Sequence, residues 1–194
     1  MKTITRFLLL VGIAAITFGC QSESVKPTEG NNAAVQGSYL PVPRPSQQCG
    51  PSVFSRIKSG NLDLGGVEIM NSSTDLYLIF DLNQYKFLEE VKIYCGEGTN
   101  IPTDDDGNIQ VEDFPCQQSL SSPLNDYTVV LPLQTTPHCD DVVIWARITT
   151  RSLFGNVIAT NYAWMSGSPL HNGFKVGYCA PSCTTGASTS DNTN

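Results

Sequence analysis

Between Gln48 and Cys183, apolar and polar residues alternate with a period of two in one segment after another. Val67-Glu68-Ile69 alternates. Leu76, Leu78 and Phe80 fall on one face, with Tyr77, Ile79 and Asp81 on the other. Val91-Lys92-Ile93-Tyr94 and, less cleanly, Tyr127-Thr128-Val129-Val130-Leu131 repeat the pattern. Val142, Ile144, Ala146 and Ile148 share a face opposite Val143, Trp145 and Arg147. Val157 to Trp164 and Phe174-Lys175-Val176-Gly177-Tyr178 read as further strands. Side chains of a strand point to opposite faces in turn, so this spacing marks half-buried strands.

Asn71-Ser72-Ser73, Asn83-Gln84, Asp106-Gly107-Asn108 and Gly155-Asn156 separate these segments, and their residue types favour turns. No stretch of ten residues carries a 3.6-residue period with caps. A short helical turn near Tyr85 to Glu90 is the one exception that the pattern allows. Short strands at regular spacing, without helices, predict an all-β fold: an antiparallel β-sandwich.

The flanks differ. Residues 20–47 are rich in Ser, Gln, Asn, Pro and Gly and poor in large apolar residues, as expected of a flexible tether. Leu40-Pro41-Val42-Pro43-Arg44-Pro45 favours polyproline II; docking of Tyr39 to Val42 as an edge strand is the alternative. Residues 184–194 form a polar tail. The folded domain is expected over 48–183.

The first residues read as an address. Lys2 and Arg6 precede an apolar run from Phe7 to Phe18, too short for a spanning helix, which needs about 20 residues. This is the form of a secretory signal peptide over residues 1–19. Thr17-Phe18-Gly19-Cys20 resembles the bacterial lipobox, in which a small residue precedes an acylated cysteine; Thr17 stands where Leu is usual. The resemblance implies cleavage before Cys20, palmitate-type acylation of its thiol, and a lipid-anchored protein of the bacterial cell envelope, at the outer membrane or cell surface. Two or more acyl chains anchor stably where one binds only marginally.

Charge narrows the partners. The chain carries 11 basic and 18 acidic residues. Removing residues 1–19 takes away Lys2 and Arg6 and no acid, which leaves a net charge of −9. Such a balance argues against nucleic acid, whose binding rewards basic patches, and against docking of the chain as a whole on anionic lipid by charge.

Beyond Cys20 lie Cys49, Cys95, Cys116, Cys139, Cys179 and Cys183. In an exported chain this even set predicts three disulfides, with about 15 pairings open. A Cys95–Cys116 bridge would staple the polar excursion between them. Cys49 with Cys179 or Cys183 would clamp the first strand to the last.

Candidate chemistry is sparse. Thr103 to Asp113 invites a calcium reading with Asp104, Asp106 and Asp113 as ligands around Gly107. Aligned on an EF-hand loop, however, its first position falls on Pro102, and the plainer reading is a solvated turn. No other cofactor is implied. His138 and His171 are the only histidines, and no G-x-S-x-G or H-E-x-x-H occurs. Glu89 and Glu90 point to opposite faces of a regular strand and could not act on one bond. Trp145 and Trp164, with Tyr162, Tyr127, Tyr77 and Tyr85, offer a platform for a sugar ring or a protein, or else serve as core.

One further likeness covers about Cys49 to Cys179. Leu76-Tyr77-Leu78, Val91-Lys92-Ile93-Tyr94-Cys95-Gly96, Asn100-Ile101-Pro102-Thr103, Gly107-Asn108, Phe114-Pro115, Ala163-Trp164, Gly167, Phe174 and Tyr178-Cys179 follow one another in an order that resembles a set of bacterial secreted modules. Ile109 and Cys116 depart from that pattern. The resemblance implies a β-sandwich with no assigned activity, and supplies no catalytic residues. The expectation is a non-enzymatic binding or structural module with a carbohydrate or protein ligand. The alternatives are a calcium-stabilised module and a secreted hydrolase.

Overall fold

The computed structural model describes residues 44–133 and 138–183, without the side chain of His138. The leader, Cys20, Tyr39 to Val42 and the polar tail lie outside the described residues. Ten strands make up the domain: β1 (Val53–Ser59), β2 (Leu62–Asn71), β3 (Asp75–Leu82), β4 (Lys86–Gly96), β5 (Cys116–Leu124), β6 (Asp126–Pro132), β7 (His138–Arg151), β8 (Val157–Met165), β9 (Ser168–Pro169) and β10 (Phe174–Ala180). Gly98–Asn100 and Val111–Asp113 are single 3₁₀ turns, and no α-helix occurs among the described residues.

All pairings are antiparallel. The main path runs β5-β4-β7-β8-β1-β2-β3-β6, with β10 added beside β7. The path rolls around one core, so it reads equally as a flattened sandwich or a nearly closed barrel. Its two edge strands, β5 and β6, are separated in sequence by Asn125 alone. They touch where the Tyr127 hydroxyl donates to Gln118 Oε1 at 2.7 Å. The all-β antiparallel class expected from the alternation is thus the one observed.

The inward face of each strand is the one its alternation marks. Leu76, Leu78 and Phe80 meet Val142, Ile144, Ala146 and Ile148 in a single cluster with Ile57, Leu64, Leu88, Val91, Ile93 and Met165. Each Val, Leu, Ile, Phe or Met among these, once fully buried, contributes about 1.5–3 kcal/mol. A smaller cluster of Tyr94, Ile101, Ile109, Phe114 and Val143 lies on the outside of the sheet, beneath the loops 97–115 and 166–173.

Two expectations fail here. Tyr85 to Glu90 is not helical: Lys86 begins β4, and Tyr85 holds a left-handed φ of 64° in the turn before it. Cys95 is not bridged but a free thiol. The register sets Ile93, not Cys95, opposite Cys116, and turns Cys95 toward Val142 and Asp140. Two bridges are formed among the described residues. Cys49–Cys183 clamps the start of the domain to its end, and Cys139–Cys179 joins facing residues of β7 and β10. Beside them, the buried Tyr178 hydroxyl donates to Asn71 Oδ1 at 2.8 Å and ties β10 to β2.

Candidate functional site

The outward face of β4, β7 and β8 carries the densest set of aromatic and charged side chains. It follows from register. Lys92, Trp145, Trp164 and Lys58 lie in one row across β4, β7, β8 and β1, and Glu90, Arg147 and Tyr162 form the next. Trp145 and Tyr162 are therefore diagonal neighbours, within reach for large rings. Their rings stack with centroids 5.8 Å apart and an interplanar angle of 19°. Tyr162 is 61% exposed and Trp145 half-buried.

Charges frame the stack. Lys92 is only 4% exposed, yet its ammonium lies 5.1 Å from the centre of the Trp145 ring. It pairs with Glu90 at 3.5 Å and with Glu112 of the second 3₁₀ turn. Arg147 pairs with Glu90 at 3.2 Å and with Glu89 at 3.4 Å. Both carboxylates reaching one guanidinium overturns the expectation that Glu89 and Glu90 face opposite ways. A bulge between Leu88 and Glu90 breaks the two-residue alternation there, as an extra residue in one strand does.

Trp164 behaves differently from Trp145. It packs against Tyr94, Ile101, Ile109 and Phe114, and the backbone of Gly173 rests on its ring. It is a floor for the loops, while Trp145 and Tyr162 stay on the open part of the face. The loop next to it is held up by Tyr94, whose hydroxyl donates to the Glu97 carbonyl at 2.6 Å. Burial, and then the Asp140 carboxylate, push that phenol above its ordinary range.

The proposed calcium ligands are not brought together. Asp104 is already committed to its own turn: one carboxylate oxygen accepts from the N–H groups of Asp106 and Asn108, the other from the Asn108 and Gln110 amides. The Asn108 side-chain amide, foremost, holds its carboxyl below the usual range. Asp113 lies apart in the second 3₁₀ turn. No group of three or more His, Cys, Asp or Glu side chains converges among the described residues. The nearby depression, about 170 Å³, is lined by His171, Thr99, Thr103, Ile101, Ile109 and Leu170 with two glycines, and His171 adds the last of the causes that lower the Asp104 carboxyl.

Sequence reasoning named Trp145 and Tyr162 but did not join them, because it lacked the register. It missed Lys92, whose position two residues from Glu90 was the available signal. No protein-family model matches the chain, nor does any curated protein or solved structure.

Proposed function

We propose that this protein is a lipoprotein held at the bacterial envelope through Cys20, and that its β-domain binds ligand without chemistry, across the outer face of β4, β7 and β8. The observation that carries the binding reading is the stacked Trp145–Tyr162 pair set among Lys92, Arg147, Glu89 and Glu90. Rigid, flat, amphipathic rings supply contact area at little entropic cost. The surrounding ion pairs supply donors and acceptors at the rim. A sugar ring fits this chemistry best: its axial C–H face packs on an aromatic plane while its hydroxyls meet charged groups.

The experiment is a glycan array probed with the whole chain, followed by calorimetry on any hit. Trp145→Ala and Tyr162→Ala should each weaken binding by at least ten-fold, about 1.4 kcal/mol, and Trp164→Phe by far less. Binding that survives loss of both rings would place the ligand elsewhere. The anchor is tested separately by intact mass and by metabolic labelling with a palmitate analogue. Label should be lost in Cys20→Ser, and an uncleaved, unlabelled chain refutes the anchor.

A further inference from the structure

Four hairpin turns gather at one end of the rolled sheet: β1–β2, β3–β4, β5–β6 and β7–β8. The Asn125 amide reaches the Leu82, Asn83 and Lys86 carbonyls, and the Arg151 N–H reaches the Tyr85 carbonyl, which binds three of these turns into one surface. Every one of the four displays a large apolar side chain to solvent: Leu62, Tyr85, Leu124, and in β7–β8 Leu153 and Phe154 followed by Val157 and Ile158. The last hairpin is the most exposed. Leu153 is 79% and Phe154 89% exposed, and its first β8 residues are open on both faces. β1 pairs with β8 only at Met165 and Trp164, so no strand pairs with Val157 to Tyr162 on that side among the described residues. Gly155, at φ 82°, makes the tight turn that presents the Leu-Phe pair. Two adjacent large apolar residues in a turn are costly in water, where polar turn residues are the rule.

We propose that this end, led by Leu153 and Phe154, dips into an anionic lipid surface. Charge selects that occupant. The chain as a whole is acidic, with a net charge of −7, yet no acid occurs between Asp141 and Asp191. Past Asp141 the ribbon β7–β8 carries Arg147 and Arg151 and no carboxylate. Arg147 is taken up by Glu89 and Glu90 of β4, which leaves Arg151 and Lys86, the latter on β4 and donating to Thr150 at 2.8 Å, as the basic residues behind the tip. The other acids of this end, Asp63, Asp81 and Asp126, belong to β2, β3 and β6, with Asp63 paired to Arg56 at 3.5 Å, so the β7–β8 hairpin itself carries none. An apolar tip with basic residues one layer behind it matches the headgroup boundary of a negative membrane. Tyr85, an amphipathic ring held outward at the same level, suits the interface.

The path of the chain agrees. The Cys49 N–H bonds the Asn71 carbonyl, and Arg44 pairs with Glu68 at 3.1 Å. Traced backwards, the chain therefore runs along β2 toward the end that bears the hairpins. The inference does not require the Cys20 anchor: a tip that enters lipid would do so in an unacylated chain, and an anchored chain could hold its tip in water.

The test uses the full chain with Phe154→Trp, compared with the parent, so that signal from Trp145 and Trp164 cancels. Vesicles are phosphatidylcholine alone, or phosphatidylcholine with roughly a third phosphatidylglycerol. With the anionic vesicles the new indole should shift its emission to the blue and be quenched by brominated acyl chains. Lys86→Gln and Arg151→Gln should each reduce apparent vesicle affinity at the tip about five-fold, the equivalent of about 1 kcal/mol per basic residue near such a surface. An indole that neither shifts nor is quenched overturns the proposal. Equal quenching on both vesicle types overturns its charge argument. A shift that needs no lipid and follows protein concentration would identify a second copy, paired along the open edge of β8, as the occupant instead.

Discussion

Lys92 offers the sharpest stability test, because it is a nearly buried cation with two kinds of partner. Lys92→Met keeps the aliphatic stem and removes the charge. The Glu112 partner is exposed for 75% of its side chain, so that pair contributes little, about 0–1 kcal/mol. Glu90 retains Arg147. What is lost is chiefly the ammonium over the Trp145 ring, which in a covered site is worth about 1–2 kcal/mol. The expected cost is therefore about 1.5–2.5 kcal/mol, a fall in Tm on the order of 5–10 °C for a domain of this size. A double-mutant cycle with Trp145→Leu, measured by urea unfolding, isolates the contact and should return a coupling of about 1 kcal/mol or more. Coupling within ~0.3 kcal/mol of zero, or a Lys92→Met protein more stable than its parent, would show that desolvating the ammonium costs what the ring returns.

Other outcomes follow from single features. Burial, and then the Asp81 carboxylate across the strand pair, raise the Asp126 pKa. The folded state thus prefers the neutral acid, and this contribution is full below the ordinary carboxyl range and lost as pH rises through the raised value. Asp126→Asn should accordingly raise Tm at neutral pH and lose that advantage below about pH 4. Burial, followed by the Asp140 carboxylate, pushes the Cys95 thiol up to about 12. At pH 8 only ~1 in 10,000 such thiols is ionised, so peptide mapping should find Cys95 unalkylated until denaturant is added. Cys49→Ser with Cys183→Ser opens a loop of sequence separation 134, and should lower the unfolding free energy by about 2–4 kcal/mol in urea titrations. Asn71→Leu strands the buried Tyr178 hydroxyl and should cost about 1–3 kcal/mol, a penalty that adding Tyr178→Phe should partly relieve.

Period-two alternation located β2, β3, β4, β6, β7, β8 and β10 but not the two-residue β9, and the turn signals marked the β2–β3, β3–β4 and β7–β8 connections. It did not locate β5, whose sequence CQQSLSSPL shows little contrast. An edge strand needs little contrast, and Pro123 falls in the stretch between Ser119 and Leu124 where the ladder with β4 is interrupted. β1 escaped because Ser55 stands between Val53 and Ile57 on the inward side. At the candidate site, residue types were legible and their company was not. The bulge at Leu88/Glu90 is a property of pairing, and only pairing brings Glu89 to Arg147. The stack of Trp145 on Tyr162 likewise depends on which residues of β7 and β8 face each other. The Leu153-Phe154 pair could have been noticed, since it adjoins the turn signal Gly155-Asn156.

The single residue between β5 and β6 makes the rolled sheet behave like a bound book. Asn125 is the spine: its amide grips three carbonyls, and its own carbonyl accepts the Leu82 N–H at 3.2 Å. The two covers diverge from it, latched part of the way along by Tyr127 and Gln118. Any breathing of the domain along this margin must therefore begin away from Asn125, at the Pro132 end of β6, and travel inward. Amide exchange along β6 should slow residue by residue toward Asp126.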